Sequence, residues 1–177
     1  MNQAEEFPRI GKRLRQEGLV GANFGNMSVR DGAGFLITRN GAFLDCPGDL
    51  VYVPLDGAVP PEASSEYRVH REVYRLTRHL AVVHAHPPHA VAISLDRDCI
   101  NPIDSEGEMF CPTIPVVTGP PGSMEMAKRV ASALKDGGAV IVRGHGTFCG
   151  ARSLEEGYVL TSIVEHSCRV LLLSRVK

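Results

Sequence analysis

No apolar run in this 177-residue sequence approaches the roughly 20 residues needed to span a bilayer, which excludes a helical membrane anchor. The opening residues, Met1-Asn2-Gln3-Ala4-Glu5-Glu6, are polar and acidic and lack the apolar stretch of a secretory signal. Net charge is scarce too: the formal value is −1, too little for a global field that would recruit nucleic acid or an anionic membrane. Any anion must therefore be held by local geometry. The five cysteines (Cys46, Cys99, Cys111, Cys149 and Cys168) are odd in number and show no CxxC spacing. That argues against a disulfide framework or a thiolate zinc site, and for reduced cytosolic thiols, each a small buried apolar side chain. Repeats, low-complexity tracts and linkers are also missing. What is present, 44% hydrophobic and 22% charged residues, suits one globular domain over residues 1–177. Pro60-Pro61-Glu62 and Gly119-Pro120-Pro121-Gly122 then read as loops inside it.

Periodicity predicts helices mixed with short strands. A helix is expected near Ala4 to Glu17, with Phe7, Ile10 and Leu14 at helical spacing, Pro8 early and Gly18 at the stop. Strands follow at Asn26–Arg30, Phe35–Thr38 and Val51–Val53, set apart by turns bearing Gly, Asn and Asp. A second helix opens at Ser64-Ser65 and turns Val69, Val73 and Leu76 inward. Ala81–His84 reads as a buried strand, and Pro87-Pro88 breaks it and can begin another helix. Ile114–Val117 is a strand. Ser123 caps a helix carrying Ala127, Val130, Ala131 and Leu134, which Asp136-Gly137-Gly138 ends. Ala139–Val142 is a buried strand running into Gly144-His145-Gly146. Ser153 and Glu156 form a capping box for the last helix, whose apolar side is Leu160, Ile163, Val164, Val170 and Leu171. The fold class is a layered α/β domain, with the strand order left open.

Val83-His84-Ala85-His86 is the sharpest chemical signal. On a strand, residues two apart face the same way, so both imidazoles reach one ion. Imidazole nitrogen suits Zn²⁺, and Co²⁺, Ni²⁺ or Mn²⁺ with less selectivity. The pair alone is equally the pattern of two surface or core histidines. Gly144-His145-Gly146 adds a third imidazole at the C-terminal end of an apolar strand, where α/β folds present site residues. Its glycines let the backbone turn and leave the ring accessible. Three histidines leave coordination positions open, as catalytic zinc requires.

Glu66 follows two serines at a predicted helix start, where a carboxylate complements the helix dipole. Alternatively, the free N–H groups and both hydroxyls hold an anion, and Glu66 faces what is bound beside it. Phe24-Gly25-Asn26-Met27-Ser28 and Arg39-Asn40-Gly41 combine glycine with asparagine. Such residues reach left-handed conformations that aim successive N–H groups inward as an anion nest, although ordinary tight turns use them too. Neither loop has P-loop spacing, so nucleoside triphosphate binding is not supported. His89, after two prolines, reads as a cap or a support behind the ligands, and His70, His79 and His166 as structural.

Five stretches then resemble, in order, the class II aldolase/adducin family: Gly25-Asn26-Met27-Ser28-Val29-Arg30, Leu36-Ile37-Thr38-Arg39-Asn40-Gly41, Ser64-Ser65-Glu66, Val82-Val83-His84-Ala85-His86 and Gly144-His145-Gly146. The resemblance spans residues 8 to 173. It implies that His84, His86 and His145 bind zinc or another divalent metal. Glu66 would be the catalytic carboxylate, able to ligate the metal when no substrate is present. Gly25, Asn26, Asn40, Gly41, Ser64 and Ser65 would hold the substrate phosphate. The implied fold is a three-layer α/β/α sandwich around a mainly antiparallel sheet. The implied assembly is a homotetramer with sites at subunit interfaces.

The implied reaction is cleavage of a phosphorylated ketose, fuculose 1-phosphate-like, to dihydroxyacetone phosphate and an aldehyde through an enediolate. Sugar-phosphate epimerases, dehydratases and decarboxylases share the scaffold. Adducin-like members use it as an interaction module, a reading that predicts decay of the histidines, all of which are present here. Two departures concern the aldehyde half. Where the aldolase pattern has a His-Tyr pair, this chain reads Ile103-Asp104-Ser105-Glu106-Gly107-Glu108, either a solvated acidic loop or an acid in the tyrosine's place. The chain also ends soon after its last helix, so a neighbouring subunit is expected to complete the site, with Asp104–Glu108 acting across the interface.

Overall fold

Short β-branched runs and longer amphipathic ones sort into a sheet with helices packed on it in the computed structural model, which describes residues 3–174. Met1, Asn2 and the last three residues of the expected 1–177 domain lie outside the described residues. The elements, in chain order, are α1 (Gln3–Gln16), β1 (Asn26–Asp31), β2 (Gly34–Ile37), β3 (Val51–Pro54), α2 (Tyr67–Leu76), β4 (Ala81–Ala85) and α3 (Pro88–Ser94). Then come β5 (Cys99–Ile100), α4 (Ser105–Phe110), β6 (Ile114–Val117), α5 (Met124–Ala133), β7 (Ala139–Val142), β8 (Gly146–Ala151) and α6 (Leu154–Leu173).

The strands join in the order β3-β2-β1-β4-β8-β7-β6-β5. Where a mainly antiparallel sheet was expected, the sheet is mixed. Its β6–β7 neighbours run parallel, because α5 carries the chain back between them, as a parallel crossover requires. At the centre, Asn26 opens β1 opposite His84, and His84 lies opposite Phe148 on β8. Antiparallel pairing thus gathers the start of β1, the end of β4 and the start of β8 at one rim of the sheet.

Alternation along β4 separates the two faces. Val82 joins a buried cluster with Val69, Val73 and Tyr74 of α2 and Met126, Ala127 and Val130 of α5. Ala81, Val83 and Ala85 instead pack with Phe7, Ile10 and Leu14 of α1 and Leu154 of α6. Fully burying each such Val, Ile or Phe contributes roughly 1.5–3 kcal/mol. His84 shares the parity of Val82 and so belongs to the α2–α5 face. None of the described helices is long and apolar enough to cross a membrane.

Several local expectations change. The second helix begins at Tyr67, because Tyr67 N–H donates to the Ser64 carbonyl in a turn that places Ser64 and Ser65 ahead of it. Leu76 is 51% exposed, since the helix ends there and its last turn leaves the core. The Asp104–Glu108 segment is a helix start, with the Asp104 carboxylate accepting from Gly107 N–H. β5 and β8 were not foreseen. Half of the capping box forms: Ser153 Oγ accepts from Glu156 N–H, while the Glu156 carboxylate reaches past it to Arg152 N–H. The buried stripe of α6 includes Gly157, Thr161, Ser167 and Cys168, small or polar residues that hydrophobic spacing overlooks. All five cysteines are free, but Cys46 is exposed and Cys99 half-buried, so only Cys111, Cys149 and Cys168 are the buried thiols expected.

Candidate metal centre and anion cleft

His84, His86 and His145 converge from β4, the residue following it and the β7–β8 turn. One ring nitrogen of each lies within 4.8 Å of the others. The turn works because Gly144 adopts φ +66° and because Gly146 packs flat, where an added Cβ would lie 2.3 Å from the Ala85 carbonyl. His84 is fully buried and stacks on Phe148 at 4.0 Å, and His86 lies against Phe24 at 5.3 Å.

The His84 tautomer is fixed. Its Nδ1 lies 2.8 Å from the Thr147 carbonyl, which can only accept, so Nδ1 carries the proton and Nε2 presents a bare lone pair. That lone pair faces the Glu66 carboxylate at 2.8 Å and His86 Nε2 at 3.0 Å. Lone pairs and a carboxylate crowded in this way repel unless a cation lies among them. His145 Nδ1 and Glu66 Oε1 are buried without a hydrogen-bond partner among the described residues. A donor set of three imidazoles and a carboxylate fits a divalent cation with positions left for substrate.

Burial, with the other histidines adding to it, pushes the His86 imidazole down to about 3, and burial lowers His145 as well. Both therefore stay neutral, the ligand form. Burial alone would raise the Glu66 carboxyl, but the surrounding histidine cluster and the hydrogen bond from the Asn26 amide outweigh it, so Glu66 stays ionised.

Beside the histidines opens a cavity of about 500 Å³. Its wall brings together all six residues expected at the anion site (Gly25, Asn26, Asn40, Gly41, Ser64 and Ser65) with Glu66, His86 and His145. Gly25 and Gly41 hold φ of +80° and +74°, the left-handed conformations that a nest uses. Three of the six are engaged elsewhere, Ser64 through its N–H, which donates to the Thr38 carbonyl. The Asn26 amide, 6% exposed, donates to Glu66, and Asn40 N–H donates to the Glu62 carbonyl.

The cavity also holds residues the sequence reading did not single out as ligands: Asn23, Arg39, Arg68 and Gly122. Arg68 reaches the Gly122 carbonyl at 3.5 Å, so the loop after β6 closes one wall. Arg39 lay within a quoted motif, but for Arg68 only its place two residues after Glu66 was a signal. His89 is indeed a helix-start residue: Glu165 accepts from its N–H, from its Nδ1 and from Ala90 N–H, which ties α3 to α6. Asp104, Glu106 and Glu108 do not line this cavity within one chain.

A model of the class II aldolase and adducin N-terminal domain matches residues 5–172, and the chain belongs to that family. Its α/β fold is that of class II aldolases, enzymes that depend on a divalent metal. An L-fuculose-1-phosphate aldolase from Thermus thermophilus superposes with a TM-score of 0.93 at 41% identity, covering 98% of this chain and 94% of that one. An L-fuculose phosphate aldolase of Methanococcus maripaludis (strain C7) is 29% identical over 171 residues, 90% of each chain. A 3-oxo-tetronate 4-phosphate decarboxylase of Cupriavidus necator is 34% identical over 139 residues, 72% of this chain and 64% of that one.

Proposed function

We propose that this protein is a zinc-dependent aldolase that cleaves a fuculose 1-phosphate-like ketose to dihydroxyacetone phosphate and an aldehyde. The observation that carries the reading is a single cavity joining Glu66 and the His86 and His145 members of the histidine cluster to a glycine- and serine-lined anion cleft. Similarity to two fuculose-phosphate aldolases over most of the chain supports the substrate class. We assign His84, His86 and His145 as zinc ligands, and Glu66 as the catalytic carboxylate and a further ligand in the resting enzyme. The phosphate is held by Gly25, Gly41, Ser64 and Ser65, with the backbone around Asn26 and Asn40 shaping the loop. Scattered free thiols suit the cytoplasm. One α/β/α domain in a homotetramer is the assembly we infer, with Asp104–Glu108 of a neighbouring subunit serving the aldehyde end.

A divalent cation in this site supplies Lewis-acid stabilisation for the negative charge that develops on the substrate oxygens. The protein does the rest. The anion cleft fixes the phosphate remote from the reacting bond, which sets the ketose in register with Glu66. When the bond between the ketose and aldehyde halves breaks, the hydroxyl on the aldehyde half gives its proton to Glu66 and becomes the carbonyl, and the electron pair of the broken bond remains on the dihydroxyacetone half as an enediolate. Glu66 then delivers a proton to that carbon, and in synthesis it removes the same proton. Burial of His84 and Glu66 keeps competing water from the enediolate.

The test is Glu66→Gln, which keeps size and removes the base. Exchange of the dihydroxyacetone phosphate C3 proton with solvent deuterium needs the base and no aldehyde. It should slow by about 10² to 10⁴, the usual contribution of a positioned base, with zinc content retained. Exchange at the wild-type rate would reject Glu66 as proton carrier. The decarboxylase relative favours one second reading, loss of CO₂ from a phosphorylated 3-oxo acid. Release of CO₂ from such a substrate, with no cleavage of ketose 1-phosphates, would select it.

A further inference from the structure

Behind Glu66, a line of buried polar groups runs away from the cavity. His70 and Tyr74 follow Glu66 at one-turn intervals along α2, and Asn26 and Ser28 share one face of β1. The Asn26 amide nitrogen donates to Glu66 Oε2 at 3.1 Å. His70 Nε2 lies 2.5 Å from Asn26 Oδ1, and His70 Nδ1 lies 2.6 Å from Ser28 Oγ. Ser28 Oγ in turn lies 2.7 Å from the Tyr74 hydroxyl. His70 and Ser28 are fully buried, and Phe35 and Phe148 flank the imidazole.

Donor and acceptor chemistry gives this line one direction. A carboxylate only accepts, so the amide nitrogen of Asn26 faces Glu66 and its oxygen faces His70. That oxygen also only accepts, so His70 carries its proton on Nε2. The remaining Nδ1 lone pair then takes the Ser28 hydroxyl proton, and Ser28 Oγ accepts from Tyr74. Each proton therefore points toward Glu66. Burial holds the imidazole neutral, its pKa pushed down to about 3, which suits a single ring proton.

We propose that His70, through Asn26, is the positioning residue for the catalytic carboxylate: it clamps Oε2 and leaves Oε1 as the oxygen that moves the proton. Oε1 is the buried carboxylate atom without a hydrogen-bond partner among the described residues. The proposal rests on the reading of Glu66 as proton carrier. The side-chain amide of Asn26 consequently serves the base. A free Asn26 amide could rotate, and the carboxylate would lose the one donor that comes from outside the histidine cluster.

The test uses the full-length, metal-loaded protein. Long-range ¹H–¹⁵N correlation of the histidine rings should show His70 neutral with the proton on Nε2; a proton on Nδ1 alone would overturn the chain. His70→Phe keeps a ring of similar size and removes both hydrogen bonds. Its kcat, and exchange of the dihydroxyacetone phosphate proton, should fall about 10- to 100-fold, the usual cost of losing a support behind an active group. KM and metal content should stay near wild type. His70→Gln, which restores an acceptor and an N–H donor, should recover part of that loss. Should His70→Phe fail to fold, Ser28→Ala removes the donor to Nδ1, and the ring is then free to reverse its tautomer. Wild-type kcat in folded His70→Phe, with Glu66→Gln still impaired, would refute positioning alone. Wild-type exchange in Glu66→Gln would refute the reading beneath it.

Discussion

At the metal end of the cavity, side chains are held by strands or by buried partners. His84 is pinned by Thr147 and Phe148, and Glu66 by Asn26 and, behind it, His70. At the anion end the wall is loop, and Asn40, Gly41 and Ser65 are exposed. The difference follows from what each end must handle. Charge that develops during reaction gains most from dipoles already fixed in a dry site. A phosphate is a charged handle that glycine-rich N–H groups can follow from solvent. Gly25 couples the two ends, since a Cβ there would lie 2.5 Å from the His84 carbonyl.

The contrast can be broken first at the metal end. His84→Ala and His145→Ala should each lose most of the bound metal and most of the turnover, since one of three histidine donors is gone. Elemental analysis after gentle purification checks this, and full occupancy in the double variant would end the assignment.

A second break is by acid. Folded His70 titrates near 3, against 6.5 for a free imidazole. Between those values the unfolded chain binds a proton that the folded chain does not, so stability is lost as pH falls below about 6.5. The loss approaches roughly 5 kcal/mol at its limit. Thermal melts from pH 7.5 to 5 should slope less steeply in His70→Phe than in wild type, and parallel slopes would contradict a neutral buried His70.

The gentlest change is at the anion end. Ser65→Ala or Arg68→Ala should raise KM for the phosphorylated substrate about tenfold, worth about 1.4 kcal/mol, and leave metal content alone. Steady-state kinetics checks it. A fall in kcat at constant KM would mean that the anion end is as tightly coupled to chemistry as the metal end.

The metal end was the more legible of the two in sequence. His-x-His on a strand and Gly-His-Gly in a turn are short, local patterns, and the structure brings all three rings together. The relay behind Glu66 was missed, although its spacing was visible: Glu66, His70 and Tyr74 at intervals of four, Asn26 and Ser28 at intervals of two. Nothing local said that the two periodic faces met. The partner of the Asn26 amide was hidden for the same reason, because an asparagine at a strand start gives no sign of which neighbour its amide will find. The acidic segment at Asp104 hid a helix start, since a capping aspartate and a solvated one look alike until Gly107 N–H is in place.

What the sequence determined by itself, then, was chemistry carried by near neighbours: strand and helix periods, the histidine pair, the glycine turns, the α/β class. Those follow from backbone geometry and side-chain type within a few residues. Tertiary structure decided what depends on residues far apart in the chain. Pairing of β1 with β4 and of β4 with β8 set Asn26 and Phe148 on either side of His84. Packing of α2 on that face set His70 and Glu66 against Asn26. Such contacts exist only after chain entropy has been overcome by burial of the shared core, and no short window of sequence records which partners that burial selects.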